Sequence, residues 1–126
     1  MLGDKEAIAM LAVKDIDAAR KFYEGKLGLK VVSQMGGEVV TYRTGKTTMN
    51  VYRSKHAGTN KATAANWDVG DSLETIVRTL REKGVTFEHY DDMPGVTRQG
   101  DLHAAGDMRM AWFKDPDGNI HGLNGR

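Results

Sequence analysis

Strictly alternating and helically spaced apolar positions divide this chain into recurring strand and helix signals. In Ile8–Val13 (IAMLAV) the apolar run suits a strand buried on both faces. Asp15 follows where a helix needs an N-cap, because its carboxylate can accept from free first-turn amides. Ile16, Ala19, Phe22 and Tyr23 continue at helical spacing. Gly25 and Gly28 offer left-handed exits, and Leu29, Val31 and Val32 resume an extended run. The same grammar returns 56 residues later, where Val69-Gly70-Asp71 matches Val13-Lys14-Asp15 and Gly84 matches Gly28. There Asp71 and Glu74 predict a capping box, and Leu73, Ile76, Val77 and Leu80 form one apolar stripe. Equal spacing within the same grammar predicts a structural duplication.

After the first unit, Gly36-Gly37 and Thr44-Gly45-Lys46 are turn signals separating Val39–Arg43 from Thr47–Arg53, both rich in β-formers. Ser54–Thr63 is small and polar and reads as a linker. Ala64–Val69, Val85–Tyr90, Met108–Phe113 and Ile120–Leu123 read as strands, and Asp71–Lys83 as a helix. Asp91–Asp107, with Pro94, Gly95, Gly100 and Gly106, is irregular and long enough to suggest a binding loop or lid. Asp115–Asn119 is a turn. The order is βαβββ twice: module 1 about 5–55, module 2 about 62–126, in one domain over 1–126. The expected fold is α+β, with the two modules forming a curved half-barrel sheet, helices outside and a cleft inside.

Composition narrows the function. Net charge is +1, which argues against a dedicated nucleic-acid binder. Residues 1–63 carry 11 Lys+Arg against 6 Asp+Glu (+5), and residues 64–126 carry 7 against 11 (−4). This is either uneven surface decoration or a pair of modules that face each other, within or between chains. There are no cysteines, so disulfides and thiolate chemistry are excluded. No apolar run is long enough to span a bilayer, and MLGDKEAIAM lacks the features of a secretory signal, so a cytoplasmic setting is expected.

VKDIDAARKFYEGKLGLKVV resembles the opening of proteins of the vicinal oxygen chelate superfamily, and FKDPDGNIHGL the segment that ends their second module. This is the glyoxalase, bleomycin-resistance and extradiol-dioxygenase family, and the resemblance runs from Ile8 to Leu123. It implies the paired-module fold and a homodimer. For function it is broad: the family includes lyases, dioxygenases, epimerases, antibiotic-modifying enzymes and metal-free drug binders. The family's metal enzymes carry His on the first strand, His on the strand opening the second module, and Glu on the last strand. The matching positions here are Ile8, Ala64 and Gly122. None offers the imidazole or carboxylate that binds a divalent ion at about 2.0–2.6 Å. No metal and no cofactor are therefore expected.

Among the histidines, His121 sits one residue from the missing glutamate and reads as a packed or interface residue, with a metal role only after a register shift. His103, near Asp101 and Asp107 in the long loop, is either a general base or an exposed loop residue. His56 and His89 read as surface residues. Period-two parity sends Met10 and Ala12 to the cleft and Leu11 and Val13 under the helix. It likewise sends Asn66, Asp68, Gly122 and Asn124 to the cleft, with Trp67 on the helix side. Tyr42, Asn50, Arg109 and Trp112 lie on strands that could contribute, with Trp112 equally able to be core. The basic stretch Arg43, Lys46, Arg53, Lys55 and Lys61 reads as a solvated edge or an anion site.

The function expected is binding of a small, toxic or aromatic molecule without a metal, by Met10, Tyr42, Asn50, Asn66, Asp68, His103, Arg109 and Trp112. Expected partners are that ligand and a second copy of the chain, not nucleic acid or membrane. The alternatives are a lyase or dioxygenase relative with an atypical metal or metal-free acid–base site, and a non-catalytic dimeric assembly module.

Overall fold

The computed structural model describes residues 1–126, which divide into two units, Met1–Thr59 and Asn60–Arg126. The chain is α+β, with two sheets, neither of them closed into a barrel. No helix is long and apolar enough to cross a membrane.

The first unit contains β1 (Ala9–Val13), α1 (Ile16–Arg20), β2 (Lys30–Met35), β3 (Val39–Thr44) and β4 (Thr47–Arg53). Its sheet has the order β1-β4-β3-β2, with β1 and β4 parallel and the other pairs antiparallel. Asp15 caps α1 as expected, its Oδ1 accepting the Ala18 N–H at 3.2 Å. The helix then widens into a π-helical stretch over Lys21–Lys26, where the Leu27 N–H reaches the Phe22 carbonyl. Gly25 stays inside that stretch, so only Gly28, at φ +73°, makes the left-handed exit, and the Leu29 N–H closes on the Tyr23 carbonyl. β1 is buried on one face rather than two: Leu11 and Val13 lie under the helix, whereas Met10 is 54% exposed. Val40, Met49 and Val51 complete that core.

The second unit contains β5 (Thr63–Gly70), α2 (Leu73–Glu82), β6 (Phe87–Glu88), β7 (Thr97–Gln99), β8 (Leu102–Ala105), β9 (Met108–Lys114) and β10 (Ile120–Gly125). β5 lies parallel to β10, which pairs with β9. Both β6 and β8 then pair with β9, and β7 lies outside β8. The segment expected to be irregular therefore contains a hairpin. Gly100 and Gly106, both near φ +60°, start two-residue turns in which only the first central residue needs a positive φ.

α2 buries Leu73, Val77 and Leu80, three members of the predicted stripe, against the sheet residues Ala111, Phe113 and Leu123. Its expected capping box does not form. Ser72 occupies the cap position without a side-chain bond, and the Glu74 carboxylate is taken by Arg109. The DPDGN turn is held from within. Asp115 Oδ1 accepts the N–H groups of Asp117 and Asn119 at 3.0 and 2.8 Å, and the Asn119 amide returns to Asp115 Oδ2 at 2.8 Å.

Candidate functional site

Each sheet has one face under its helix and one turned away from it, called here the open face. In the first unit the open face carries the cross-strand row Met10–Asn50–Thr41–Ser33. Asn50 is fixed within it, its Nδ2 donating to Met10 Sδ at 3.4 Å while its Oδ1 accepts from Thr41 at 2.6 Å. Tyr42 is not on this face. It is fully buried on the helix side, stacked on Tyr23 at 5.9 Å, with its hydroxyl donating to Glu24 at 2.8 Å. Burial and the adjacent Glu24 carboxylate push its phenol above the ordinary range. Arg20, through its hydrogen bond, holds the Glu24 carboxyl low. Tyr42 thus braces the π-helical stretch and is withdrawn from the ligand set.

The open face of the second unit carries two rows. One runs Asn66–Gly122–Trp112–Glu88, the other Asp68–Asn124–Met110–His103–Arg98. Asn66, Asp68, Trp112 and His103 are therefore brought to one face of one sheet. The Asn66 amide donates to Asn124 Oδ1, and Asp68 Oδ1 accepts the Gly70 N–H at 3.2 Å. Beside them an open cavity of about 490 Å³ is lined by Asp68, Asp107, Met108, Asn124, Gly125 and Arg126. Arg109 has the opposite parity. It lies on the helix side, bonded to Glu74 at 2.6 Å and to the Arg126 carbonyl at 2.6 Å, and is likewise withdrawn.

His103 is neither an exposed loop residue nor a free base. It lies on β8 with no exposed surface, and its Nε2 accepts the Tyr90 N–H at 3.0 Å. Its ring meets Trp112 edge to face at 4.9 Å, and Tyr90 meets Trp112 at 5.3 Å. Burial keeps its pKa below the ordinary histidine value. Sequence reasoning missed Tyr90. His121 is packed on the helix side, 5.3 Å from Trp67 and 5.4 Å from Phe113, and burial lowers its pKa to about 4. His89 and Arg81 both hold Asp101, at 2.8 and 2.7 Å, at the tip of the β7–β8 hairpin.

The three metal-ligand positions implied by the resemblance can be tested against this geometry. Ile8 precedes β1, and Ala64 falls where the β5–β10 ladder steps from Thr63–Ile120 to Ala65–His121. At Gly122, a Cβ would collide with Asn66 Oδ1 and come within 3.2 Å of Trp112 Nε1. An amide and an indole thus crowd the start of any side chain at the glutamate's position. No group of three or more His, Asp or Glu side chains is placed to hold an ion. The three positions themselves carry an isoleucine, an alanine and a glycine, without an imidazole or a carboxylate.

The sequence model of the Glyoxalase/Bleomycin resistance protein/Dioxygenase superfamily matches residues 7–121, and the chain belongs to that superfamily. Among solved structures it is similar to a fosfomycin resistance protein, FosX, of Listeria monocytogenes: TM-score 0.72, 10% identity, covering 98% of this chain and 93% of that one. It is also similar to lactoylglutathione lyase of Agrobacterium tumefaciens: TM-score 0.71, 16% identity, covering 96% and 93%. A third similar structure is TnmS3, an antibiotic binding protein from a Streptomyces species: TM-score 0.64, 19% identity, covering 97% of each chain. A search of the curated proteins gives no match. At these identities the structural likeness is one of fold.

Proposed function

We propose that this chain is a small-molecule binding protein that holds an aromatic or amphipathic compound against the open face of its second sheet, without the metal of the family's enzymes. The observation that supports this reading most is the crowding of position 122 by Asn66 and Trp112. Where a metal enzyme has a carboxylate, this face offers an indole surface with an amide beside it. The indole supplies stacking area, and the amides and the Asp68 carboxylate supply orientation. Met10 and Asn50 lie in contact on the first unit's open face. Two structural neighbours, an antibiotic binding protein and a fosfomycin resistance protein, are in keeping with sequestration of a toxic compound. The reading includes a homodimer in the cytoplasm.

Binding measured for wild type and Asn66→Leu tests this, using aromatic and amphipathic compounds selected by thermal shift, since a ligand of the native state raises the melting temperature. The variant is expected to fold normally and bind about ten-fold more weakly, the loss of roughly one hydrogen bond. Unchanged affinity removes Asn66 from the site. Stoichiometric Zn, Ni, Mn or Fe in protein purified without a His-tag contradicts the metal-free reading.

A further inference from the structure

We propose that His103 is a proton-operated catch for Tyr90: the neutral ring holds Tyr90 against Trp112, and the protonated ring lets it go. The inference concerns control of the site proposed above, and rests on that reading only for its consequence, the uncovering of Trp112.

The catch follows from the ring's hydrogen bonding. His103 Nε2 accepts the Tyr90 N–H, and a ring nitrogen that accepts cannot also carry a proton. The single proton of the neutral ring is therefore on Nδ1. Adding a second proton at Nε2 sets two N–H donors against each other and abolishes the bond. His103 has no exposed surface, so the cation cannot turn to water while Tyr90 stays in place. Tyr90 is otherwise held by ring contacts, at 5.3 Å to Trp112 and 6.1 Å to His103.

The charges around the ring come from β7 and from the segment just past β6. Arg98, its cross-strand partner on β7, and His89, just past β6, both oppose protonation, while Asp91 favours it. Met110 on β9 and Asn124 on β10, the next members of its row, carry no charge, but a backbone hydrogen bond with Met110 favours protonation of the ring. Glu88 and Lys114 act on the Tyr90 phenol rather than on the imidazole. Asp91 is paired with Arg98 at 2.6 Å, which keeps its carboxyl low, so this tether persists in mild acid while Tyr90 leaves. With Tyr90 in place the imidazole resists protonation; with Tyr90 gone it does not. Opening is therefore favoured as pH falls below about 6.5, the ordinary histidine value.

Amide hydrogen exchange across residues 88–93, corrected for intrinsic rates, tests the catch with no ligand present. Exchange in the wild type should rise about ten-fold from pH 7.5 to 5.5, one unit below the pKa of the open state. Peptides from α2 should not change. His103→Gln, whose amide oxygen accepts but does not titrate, should show no pH response in this segment. A wild-type segment insensitive to pH, a rise shared equally by α2, or the same response in His103→Gln overturns the proposal. Because no ligand enters, failure of the catch and failure of the binding reading are seen separately.

Discussion

The two units repeat one strand plan, and they differ at the edge and at the last turn. In both, the first strand lies parallel to the last, and the last pairs with the strand before it. Beyond that, the first unit has a single strand, β2. The second has β6 and the β7–β8 hairpin sharing the same edge of β9. β3 and β4 are joined by the two residues Gly45-Lys46, whereas β9 and β10 are joined by the self-bonded Asp115–Asn119 turn. The added hairpin delivers His103 to the open face, and the segment before it delivers Tyr90. The repeated plan supplies the scaffold. The departures from it supply the aromatic group around Trp112.

The sharpest way to break this comparison is at the turn present in one unit alone. Asp115→Ala removes the acceptor of two backbone N–H groups and the partner of a buried amide. The expected cost is about 4 kcal/mol, from charge-assisted hydrogen bonds worth roughly 1.5–3 each. Chemical denaturation reads it as a lower midpoint; a loss under 1 kcal/mol would mean that the turn stands without its aspartate.

The next effect comes from the core histidine. His121 titrates near 4 folded, against 6.5 for an ordinary histidine. Between those values the unfolded chain binds a proton that the folded chain refuses. Stability is therefore full above about pH 6.5, falls as pH drops toward 4, and then levels. The drop is about 3 kcal/mol at roughly 1.4 kcal/mol per unit. Subtracting the curve of His121→Phe should remove this component, and coincident curves would dismiss it.

Smaller still is Gly122→Ala. The added Cβ displaces the Asn66 side chain from its bond with Asn124, at about 1–2 kcal/mol. In an Asn66→Ala background the same change should cost little; an equal cost in both backgrounds refutes the coupling. Least of all is Glu24→Gln in the first unit. Its pair with Arg20 is partly exposed, and the glutamine oxygen can still accept from Tyr42, so below about 1 kcal/mol is expected. A larger loss in a melting curve would make Glu24 a core element.

Much of the fold could be read in the residues, because its cues are local. Asp15 caps a helix, Leu73, Val77 and Leu80 bury one face of another, and DPDGN folds on itself. Parity also placed Asn66 and Asp68 correctly away from the helix. It could have excluded two candidates as well. Tyr42 shares the parity of Val40, and Arg109 has the parity opposite to Trp112, so each belongs on the helix side. The β7–β8 hairpin was hidden because its strands are three and four residues long and do not alternate in polarity. The Tyr90–His103 bond and the crowding of Gly122 depend on which strands lie side by side, and no local pattern carries that.

The claim that joins these results is that the second unit's open face binds an aromatic compound through Trp112 and without an ion. Thermal unfolding in excess EDTA, with and without an aromatic compound, tests it directly when wild type and Trp112→Leu are compared. The account predicts that the compound raises the wild-type melting temperature in EDTA and leaves that of Trp112→Leu unmoved. A rise that appears only after divalent metal is added, or one that survives the loss of Trp112, would contradict it.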